Sequence, residues 1–324
     1  MQLDRCPGTL AMGHDTYSKT CLNRMFEGRK VSPILPYLSP VGNLETDELF
    51  QENHTRISVS GVQEKFSVLL EKNRLRLVNE GERGAYILKP TPSTGKNTAL
   101  MPANEHLTMQ MARQVFEIET AENALIFFQN EQPAYLTKRF DLKKDGSKWA
   151  KEDFASLAGR TPQTHGAHYK YQGNYLELFH ILKKYVPAYS IEAPKLWKLL
   201  LFNYLFSNGD AHYKNFSLIE TELGDFRLSP AYDLLNSRLH INDGDFALEE
   251  GLLPKTIAKG KIHEQFFTLA QEALIPEKTV ERIFTFMLNQ SEKVLSLIEA
   301  SFLPEKTKKS YWQAYQTRLN KLKR

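Results

Sequence analysis

The stretch LFSNGDAHYKNFSLI, residues 205–219, is the most informative part of this sequence. It places Asp210 five residues before Asn215, with His212 and Lys214 between them. An apolar helix is predicted before the stretch and an apolar strand after it, so the polar residues between are held by two core elements. Polar residues held in this way usually bind or act on something. The alternative is a solvated turn that uses Asn, Gly and Asp for its backbone conformation.

The spacing of Asp210 and Asn215 is that of the catalytic loop of protein kinases. In such a loop an aspartate positions the attacking hydroxyl, and an asparagine five residues later holds a metal ion. His212 and Lys214 then either contact the γ-phosphate or orient the loop. The helix before the loop is predicted to stop at Asn208–Gly209, because both residue types favour chain reversal.

The composition is that of an ordinary soluble globular protein. The chain has 324 residues, of which 41% are hydrophobic and 25% are charged. It contains no apolar run of about 18 residues, so no membrane span is predicted. Two cysteines are too few for a disulfide framework and suit a reducing cytoplasm. A net charge of +4 would favour a phosphate-bearing ligand, and no direct binding of nucleic acid is expected.

Strand patterns come first along the chain and helix patterns come later. The segments ISVSGVQEKFSVLL, RLRLV and AYILKP predict a meander of four short strands, and ALIFFQ and AYLTKRFD predict two more. The segments EDFASLAGR, NYLELFHILKKYV and APKLWKLLLFNYLF predict helices, the last capped by Ser190 and entered at Pro194. A hairpin over Gly224 follows the 205–219 stretch, and amphipathic helices follow from about Lys255.

This order of elements predicts an α+β fold with two lobes, like that of a protein kinase. We expect a small N-terminal segment over residues 1–54, including one short helix. A β-rich N-lobe follows over residues 55–141, and a helical C-lobe over residues 142–324.

The predicted N-lobe contains candidate parts for binding a nucleotide. The loop Ser58–Lys65 carries Gly61, which lets backbone N–H groups approach a phosphate closely. Lys89 ends a buried strand and needs an anionic partner, which is either a nucleotide phosphate or a carboxylate. Glu105 lies in the first turn of a helix that is predicted to start after Asn104. It is therefore either a helix-dipole contact or the acidic partner that kinases place opposite this lysine.

Further candidates follow in the order that a kinase uses. The strand that ends in Lys138, Arg139 and Phe140 lies where a kinase joins its lobes and presents backbone groups to adenine. Asp233 lies at a predicted strand end after the hairpin over Gly224. Asn215 and Asp233 are the candidate metal ligands, and oxygen ligands of this kind suit Mg²⁺. Asp233 is alternatively a buried aspartate that accepts hydrogen bonds from nearby backbone N–H groups.

Several motifs together resemble the HipA family of bacterial serine/threonine kinase toxins from type II toxin–antitoxin systems. They are ISVSGVQEK, YILKP, NEHLTMQMA, KRFD, KEDFASLAGR, NGDAHYKNFSL and SPAYDLLNSR. The resemblance runs from about Arg56 to the C-terminus. Only about 55 residues precede the kinase core, so the chain is most similar to the short HipT form found in tripartite HipBST systems.

The resemblance implies a HipA-like kinase fold, dependence on ATP and Mg²⁺, and growth arrest through phosphorylation of an aminoacyl-tRNA synthetase. It implies inhibition by antitoxins, namely a HipB-like DNA-binding protein and a HipS-like small subunit. Asp210 would be the catalytic aspartate, Lys89 the nucleotide lysine, and Asn215 and Asp233 the metal ligands. The residues expected at the nucleotide are Ser60, Gly61, Val62, Gln63, Glu64, Lys65, Lys89, Lys138, Arg139, Phe140, His212, Tyr232 and Asp233.

The resemblance also implies control by autophosphorylation in the loop Ser58–Lys65. Ser58 and Ser60 are both candidates, and which of them is modified stays open. Two rival interpretations belong to other functional classes. One is a nucleotide-binding regulator without catalysis, against which the complete set of candidate catalytic residues argues. The other is a small-molecule phosphotransferase, which only its substrate would distinguish from a protein kinase.

Overall fold

The computed structural model describes residues 2–40, 64–242 and 244–323. The chain divides into two compact units. The first comprises Met1–Gln110, Ala121–Phe140 and Ser296–Lys308, and the second comprises Met111–Thr120, Asp141–Leu295 and Lys309–Arg324. The main sheet lies in the first unit, and most of the helical residues lie in the second. The predicted α+β fold is therefore confirmed.

A five-stranded antiparallel sheet forms the centre of the first unit. Its strands are β1 (Phe66–Glu71), β2 (Arg74–Leu77), β3 (Tyr86–Pro90), β4 (Asn123–Phe127) and β5 (Pro133–Lys138), in the order β2-β1-β3-β5-β4. Buried and partly exposed residues alternate at the start of β1 and through β2, as expected for strands with one face on a core. Five of the six predicted strands are thereby confirmed, but the predicted meander order is wrong, because β3 pairs with β1 and not with β2. The sixth, over residues 57–60, lies outside the described residues.

The N-terminal segment covers the edge of this sheet. The Leu125 N–H of the edge strand β4 donates to the Pro7 carbonyl at 2.8 Å, and the Phe127 N–H donates to the Pro33 carbonyl at 2.8 Å. An edge strand covered in this way has fewer unpaired backbone groups to offer another chain. The predicted short helix is present as α1 (Lys19–Phe26), and its apolar residues join the core of the sheet.

Helix α2 (Met101–Gln114) begins earlier than the sequence predicts. A 3₁₀ turn over Thr98–Leu100 leads directly into it, and Pro102 lies in its first turn, where a backbone N–H needs no partner. Asn104 is therefore not the N-cap, and that prediction is wrong. It lies inside the helix, and its carbonyl accepts a hydrogen bond of 2.9 Å from the Thr108 hydroxyl.

A three-stranded antiparallel sheet lies in the second unit. Its strands are β6 (Lys151–Asp153), β7 (Ser217–Glu220) and β8 (Phe226–Leu228), in the order β6-β7-β8, and the hairpin over Gly224 is confirmed. The helix predicted over EDFASLAGR is wrong in its first part. Lys151–Asp153 pairs with β7 instead, because strand pairing overrides a weak local preference for helix.

The other α-helices of the described residues follow β5 along the chain. They are α3 (Phe154–Leu157), α4 (Pro162–His165), α5 (Leu176–Tyr185), α6 (Tyr189–Leu205), α7 (Ile262–Glu272), α8 (Glu277–Leu288), α9 (Ser291–Glu299) and α10 (Glu305–Leu322). The helices predicted after Lys255 are thus confirmed. None of the described helices is both long and apolar enough to cross a membrane.

Helix α6 is the most deeply buried helix of the second unit and leads into the loop of Asp210. Its last ten residues, Leu196–Leu205, are buried apart from Lys198. The predicted start at Ser190 and Pro194 is wrong, since the helix begins at Tyr189 and continues through the proline. This is possible because the missing N–H of Pro194 leaves only the Ser190 carbonyl, close to the helix start, without its usual partner.

Candidate active site

The loop between α6 and β7 starts with a backbone conformation that serine seldom adopts. Ser207 has a φ of 53°, so the helix ends before the predicted stop at Asn208–Gly209. Ser237 holds this turn through its hydroxyl, which donates to the Ser207 carbonyl at 3.0 Å and accepts from the Gly209 N–H at 2.9 Å. The residues directly before Asp210 are thereby fixed by a side chain that sequence reasoning did not single out.

A buried arginine supports the same turn. Arg318 is 1% exposed, and its Nε donates to the Ser207 hydroxyl at 3.4 Å. Its guanidinium lies 4.7 Å from the centre of the Tyr204 ring and forms an ion pair of 2.5 Å with Asp245. A buried guanidinium with an aromatic ring and a carboxylate as partners is rigidly held. The start of the loop of Asp210 is thus tied to helix α10.

Asp210 is half-buried and is bonded to a tyrosine. The Tyr171 hydroxyl donates to Oδ1 of Asp210 at 2.8 Å. The segment that carries this tyrosine is attached to the loop, because the Tyr213 N–H donates to the Lys170 carbonyl at 3.2 Å. Tyr171 lies 39 residues before Asp210, and no motif of the sequence connects the two.

His212 is buried within the loop of Asp210 and carries no charge at neutral pH. Its ring meets the Tyr171 ring edge-on at 5.1 Å, and its Nδ1 has no hydrogen-bond partner in the described part of the chain. Burial, together with the positive charge of Lys170, lowers the pKa of His212 to about 3. A neutral imidazole adds no positive charge at a phosphate, but its ring can still donate one hydrogen bond. Both predicted roles of His212, contact with the γ-phosphate and orientation of the loop, therefore stay open.

The two candidate metal ligands lie on segments that share one tyrosine. Asn215 accepts a hydrogen bond of 3.0 Å from the His212 N–H through its Oδ1, which fixes the side-chain amide. Tyr232, directly before Asp233, donates to the Lys214 carbonyl at 2.9 Å. The hydrogen bond of Tyr232 therefore links the residue before Asp233 to the residue before Asn215. The Lys214 side chain itself is exposed.

Asp233 also has an uncommon backbone conformation. Its φ is 55°, in the left-handed region that residues other than glycine rarely occupy. Such a conformation costs free energy and is often found where a site requires a side chain to point in one direction. Asp233 is half-buried and not fully buried, which weakens the alternative of a buried structural aspartate.

In the first unit, Lys89 and Glu105 form a buried ion pair. The Lys89 Nζ lies 2.6 Å from Oε1 of Glu105, and each residue is 5% exposed. The ammonium also lies 5.2 Å from the centre of the Tyr135 ring, on the strand that pairs with β3. Of the two alternatives for Glu105, the structure therefore supports the acidic partner of Lys89. The helix-dipole alternative is weakened, because Glu105 lies in the second turn of α2.

The predicted hinge has its backbone donors already in use. The Lys138 N–H donates to the Glu122 carbonyl at 2.8 Å, and the Arg139 N–H donates to the Ala85 carbonyl at 2.9 Å. An adenine contact in this stretch would therefore fall to carbonyl groups or to Phe140.

Part of the predicted phosphate loop has no described structure. Ser58, Ser60, Gly61, Val62 and Gln63 lie outside the described residues. Glu64 is exposed and Lys65 is half-buried, directly before β1. Within the second unit, the structure groups Asp210, His212, Asn215, Tyr232 and Asp233 on linked segments. Within the first unit, it pairs Lys89 with Glu105.

Comparison with known proteins identifies relatives that are described as kinases. A candidate kinase of Haemophilus influenzae is 23% identical over 333 residues, which cover 94% of this chain and 91% of that protein. A candidate kinase of Sinorhizobium fredii is 31% identical over 244 residues, which cover 70% of this chain. The chain spans only 56% of the length of that second protein.

Two solved structures have a similar fold. HipA of the Shewanella oneidensis MR-1 toxin–antitoxin system, solved with HipB and its operator DNA, matches with a TM-score of 0.61 and 18% identity. That match covers 89% of this chain and 73% of HipA. The proinflammatory kinase CtkA of Helicobacter pylori matches with a TM-score of 0.52 and 13% identity, over 78% of this chain and 92% of CtkA. These matches confirm the predicted kinase-like fold.

The family model of the HipA-like C-terminal domain matches residues 57–295, which is well over half of the chain. On this match, and with the same fold in HipA and CtkA, the protein belongs to the HipA-like C-terminal domain family.

Proposed function

We propose that this protein is an ATP-dependent serine/threonine protein kinase. The observation that carries the proposal is the buried ion pair of Lys89 on strand β3 with Glu105 on helix α2. Protein kinases hold the nucleotide phosphates with a lysine on the corresponding strand, oriented by a glutamate on the following helix. A buried ion pair gives little net stability, so its presence in a core is better explained by a task than by folding.

The second unit supplies the residues that would act on the attacking hydroxyl. Asp210 orients a serine or threonine hydroxyl of the target and accepts its proton on a carboxylate oxygen. The Tyr171 hydrogen bond fixes the rotation of that carboxylate. The Ser237 hydrogen bonds fix the backbone before it, so Asp210 would be positioned before the substrate arrives.

The residues present fit ATP with Mg²⁺. No cluster of three His, Cys, Asp or Glu side chains that could hold a metal ion occurs in the described part of the chain. Mg²⁺ requires no such cluster, since it is commonly bound by one or two carboxylates together with substrate phosphates and water. Asp233 would offer a carboxylate, and Asn215 has a second lone pair on Oδ1 beside the one that His212 uses. The bound ion would neutralise charge that develops on the phosphates.

We further propose that the kinase is the toxin of a type II toxin–antitoxin system, of the short HipT form. The support is family membership and the fold shared with a HipA that was solved with HipB. The proposed substrate is an aminoacyl-tRNA synthetase, whose modification would inhibit translation. The proposed antitoxins are a HipB-like DNA-binding protein and a HipS-like small subunit.

Regulation is proposed to occur on Ser58 and Ser60, of which at least one would be autophosphorylated. A phosphoserine adds a charge of about −1.5 to −2 at neutral pH. On a loop over the nucleotide, that charge would compete with the phosphates of ATP for backbone N–H groups and for Lys89. Modification would therefore lower ATP affinity and slow the kinase.

One experiment tests the reaction and its substrate class together. The protein is incubated with labelled ATP, Mg²⁺ and bacterial lysate, beside the Asp210→Ala variant, and labelled products are identified by mass spectrometry. A labelled protein of synthetase size, absent with the variant, is the expected result. A small labelled product would identify a small-molecule phosphotransferase, and no transfer by either protein would contradict the proposal. Peptide mapping of the same samples should find phosphate on Ser58 or Ser60 only in the active protein.

A further inference from the structure

The second unit contains a groove that none of the roles assigned above uses. A cavity of about 590 Å³ lies between the first half of α6 and α8. Its apolar wall includes Ile191, Pro194, Ile283 and Phe286. We call this cavity, together with the smaller one described next, the α6–α8 groove. A volume of this size is typical of sites that enclose a ligand or an anchoring side chain.

The groove extends along α6 towards strand β8. A second cavity of about 170 Å³ shares Glu117, Lys195 and Lys198 with the first and continues to Leu228 and Ala231. The two cavities therefore meet at a wall that carries two lysines. A ligand that fills both cavities would place one group in each cavity and a polar group against the two lysines between them.

The cations of the groove differ in whether they have a partner. Lys195 is neutralised by Glu192, with Nζ 2.6 Å from Oε1 of that buried carboxylate. Lys198 is half-buried, lies 4.9 Å from the centre of the Phe286 ring, and donates only to the Glu117 carbonyl at 3.4 Å. Within the described residues, no carboxylate lies within ion-pair distance of Lys198 or of Arg282.

The electrostatics of the groove therefore favour an anion. Burial lowers the pKa of Lys198, the Glu117 carboxylate opposes that shift, and Arg282 adds to it. Taking an ammonium group partly out of water without a carboxylate partner costs free energy. A bound anion would offset that cost. Lys198 and Arg282 together outnumber the single unpaired carboxylate of Glu117, so the groove carries an excess positive charge.

A hydrogen bond already present on strand β8 limits how a ligand can bind in the groove. This strand forms one edge of its sheet, where an added strand could in principle pair. However, the Leu228 N–H already donates to Oε2 of Glu192 at 3.2 Å. Recognition would then rely on side chains, with a carboxylate at Lys198 and Arg282 and an apolar group against Phe286. Arginine binds carboxylates well through paired hydrogen bonds.

We propose that the α6–α8 groove binds a short peptide segment of a partner protein, in which an acidic residue is flanked by apolar ones. The apolar side chains occupy the cavities, and the acidic side chain binds Lys198 and Arg282. A peptide is favoured over a compact small molecule because the rim is open, with Ile191 61% exposed and Lys195 exposed beside it. This site goes beyond the proposed kinase reaction and does not depend on it.

The test is fluorescence anisotropy on the full chain with a short fluorescein-labelled peptide of alternating leucine and glutamate. We expect saturable binding that becomes at least about tenfold weaker in the variant Lys198→Gln/Arg282→Gln. The Glu117→Gln variant should bind more tightly than the wild-type protein, because it removes the opposing carboxylate. The matched control is Lys183→Gln/Lys293→Gln, which removes two exposed charges outside the groove and should leave binding unchanged.

Three outcomes would overturn the proposal. One is equal affinity for the wild-type protein and the Lys198→Gln/Arg282→Gln variant. Another is equally tight binding of a peptide of alternating leucine and lysine. The third is complete displacement of the acidic peptide by inorganic phosphate at matched ionic strength, which would indicate a simple anion site. Circular dichroism of each variant establishes that the changes act on binding and not on folding.

Discussion

The Tyr171 hydroxyl donates a hydrogen bond of 2.8 Å to Oδ1 of Asp210, and the same ring packs edge-on against His212. One side chain from the segment before α5 thus contacts both the proposed catalytic carboxylate and the histidine two residues later. A carboxylate that accepts a hydrogen bond from a fixed partner has fewer accessible rotations. In the proposed reaction, Tyr171 would therefore position Asp210.

We predict that Tyr171→Phe lowers kcat by about tenfold to a hundredfold while KM for ATP changes little. A hydrogen bond to a charged group is worth about 1.5–3 kcal/mol, which corresponds to that range of rates. The expected split arises because the lost interaction acts on the attacking hydroxyl and not on nucleotide binding. Steady-state kinetics with a phosphorylatable protein substrate measure both constants.

The matched control for this change is Tyr169→Phe, which removes a hydroxyl from the same segment. Tyr169 is half-buried, and no hydrogen bond of its hydroxyl occurs among the described residues. It should therefore retain wild-type kinetics. If Tyr171→Phe raised KM for ATP and left kcat unchanged, Tyr171 would not be a positioning residue for Asp210.

The ion pair of Lys89 and Glu105 gives a second prediction, in which the free energy of unfolding and the affinity for ATP respond differently to the same substitutions. Glu105→Gln leaves the Lys89 ammonium buried without its carboxylate, which should lower the free energy of unfolding by about 3–5 kcal/mol. The double variant Lys89→Met/Glu105→Leu removes both charges and should recover most of that loss. Neither variant should bind ATP normally, because both lack a correctly held lysine.

Denaturant unfolding and calorimetry with ATP measure the two quantities independently. A double variant that is as unstable as Glu105→Gln would contradict the desolvation argument. A double variant that is stable and binds ATP as the wild-type protein does would remove Lys89 from the nucleotide site.

Some elements of the fold could be predicted from the sequence, because they depend on local patterns of residues. Strands such as Arg74–Leu77 and Tyr86–Pro90 were predicted because alternation and β-branched or aromatic residues act locally. The pairing of Lys89 with Glu105 was foreseeable as an alternative, because a buried cation requires a partner within reach. Lys151–Asp153 was mistaken for helix, because only the distant β7 strand makes it a strand.

The supporting residues of the site could not be predicted. Ser237 fixes Ser207 and Gly209 from about 30 residues away, and serine is common enough that no pattern marks it. Tyr171 contacts Asp210 only because residues 166–174 fold back over the loop. The left-handed conformations of Ser207 and Asp233 could not be predicted either, because most serines and aspartates adopt other conformations and only the folded context selects this one.

A third prediction concerns the proposed metal ligand Asp233. Asp233→Asn should weaken binding of ATP with Mg²⁺ by at least about tenfold while binding of adenosine without metal changes little. The carboxylate would act through the ion, whereas the base contacts other residues. Calorimetry with both ligands makes the comparison, and Asp225→Asn, on the hairpin turn of the same unit, is the control. Equal losses for both ligands would show that Asp233 is structural.

The fourth prediction follows from the buried, neutral His212. Its pKa is lowered from 6.5 to about 3 by burial, with Lys170 and Lys214 acting in the same direction and Asp233 opposing them. Between these two values the unfolded chain binds a proton at this position and the folded protein does not. The contribution of the neutral His212 to the free energy of unfolding is therefore fully present above about pH 6.5, and it is lost progressively as the pH falls towards 3. The loss approaches a limit of about 1.4 kcal/mol per pH unit.

Replacing the histidine should flatten that dependence. We expect His212→Asn to be less stable than the wild-type protein at pH 7. Between pH 6.5 and pH 5, however, the variant should lose about 1–2 kcal/mol less stability than the wild-type protein does. Urea unfolding at several pH values, followed by a signal from the second unit, measures the difference. His168→Asn removes an exposed histidine and should keep the wild-type slope. His106, whose pKa is also lowered by burial to about 4, remains in every variant and contributes equally. A His212→Asn variant with the wild-type pH slope would show that His212 becomes protonated in the folded protein near its ordinary pKa.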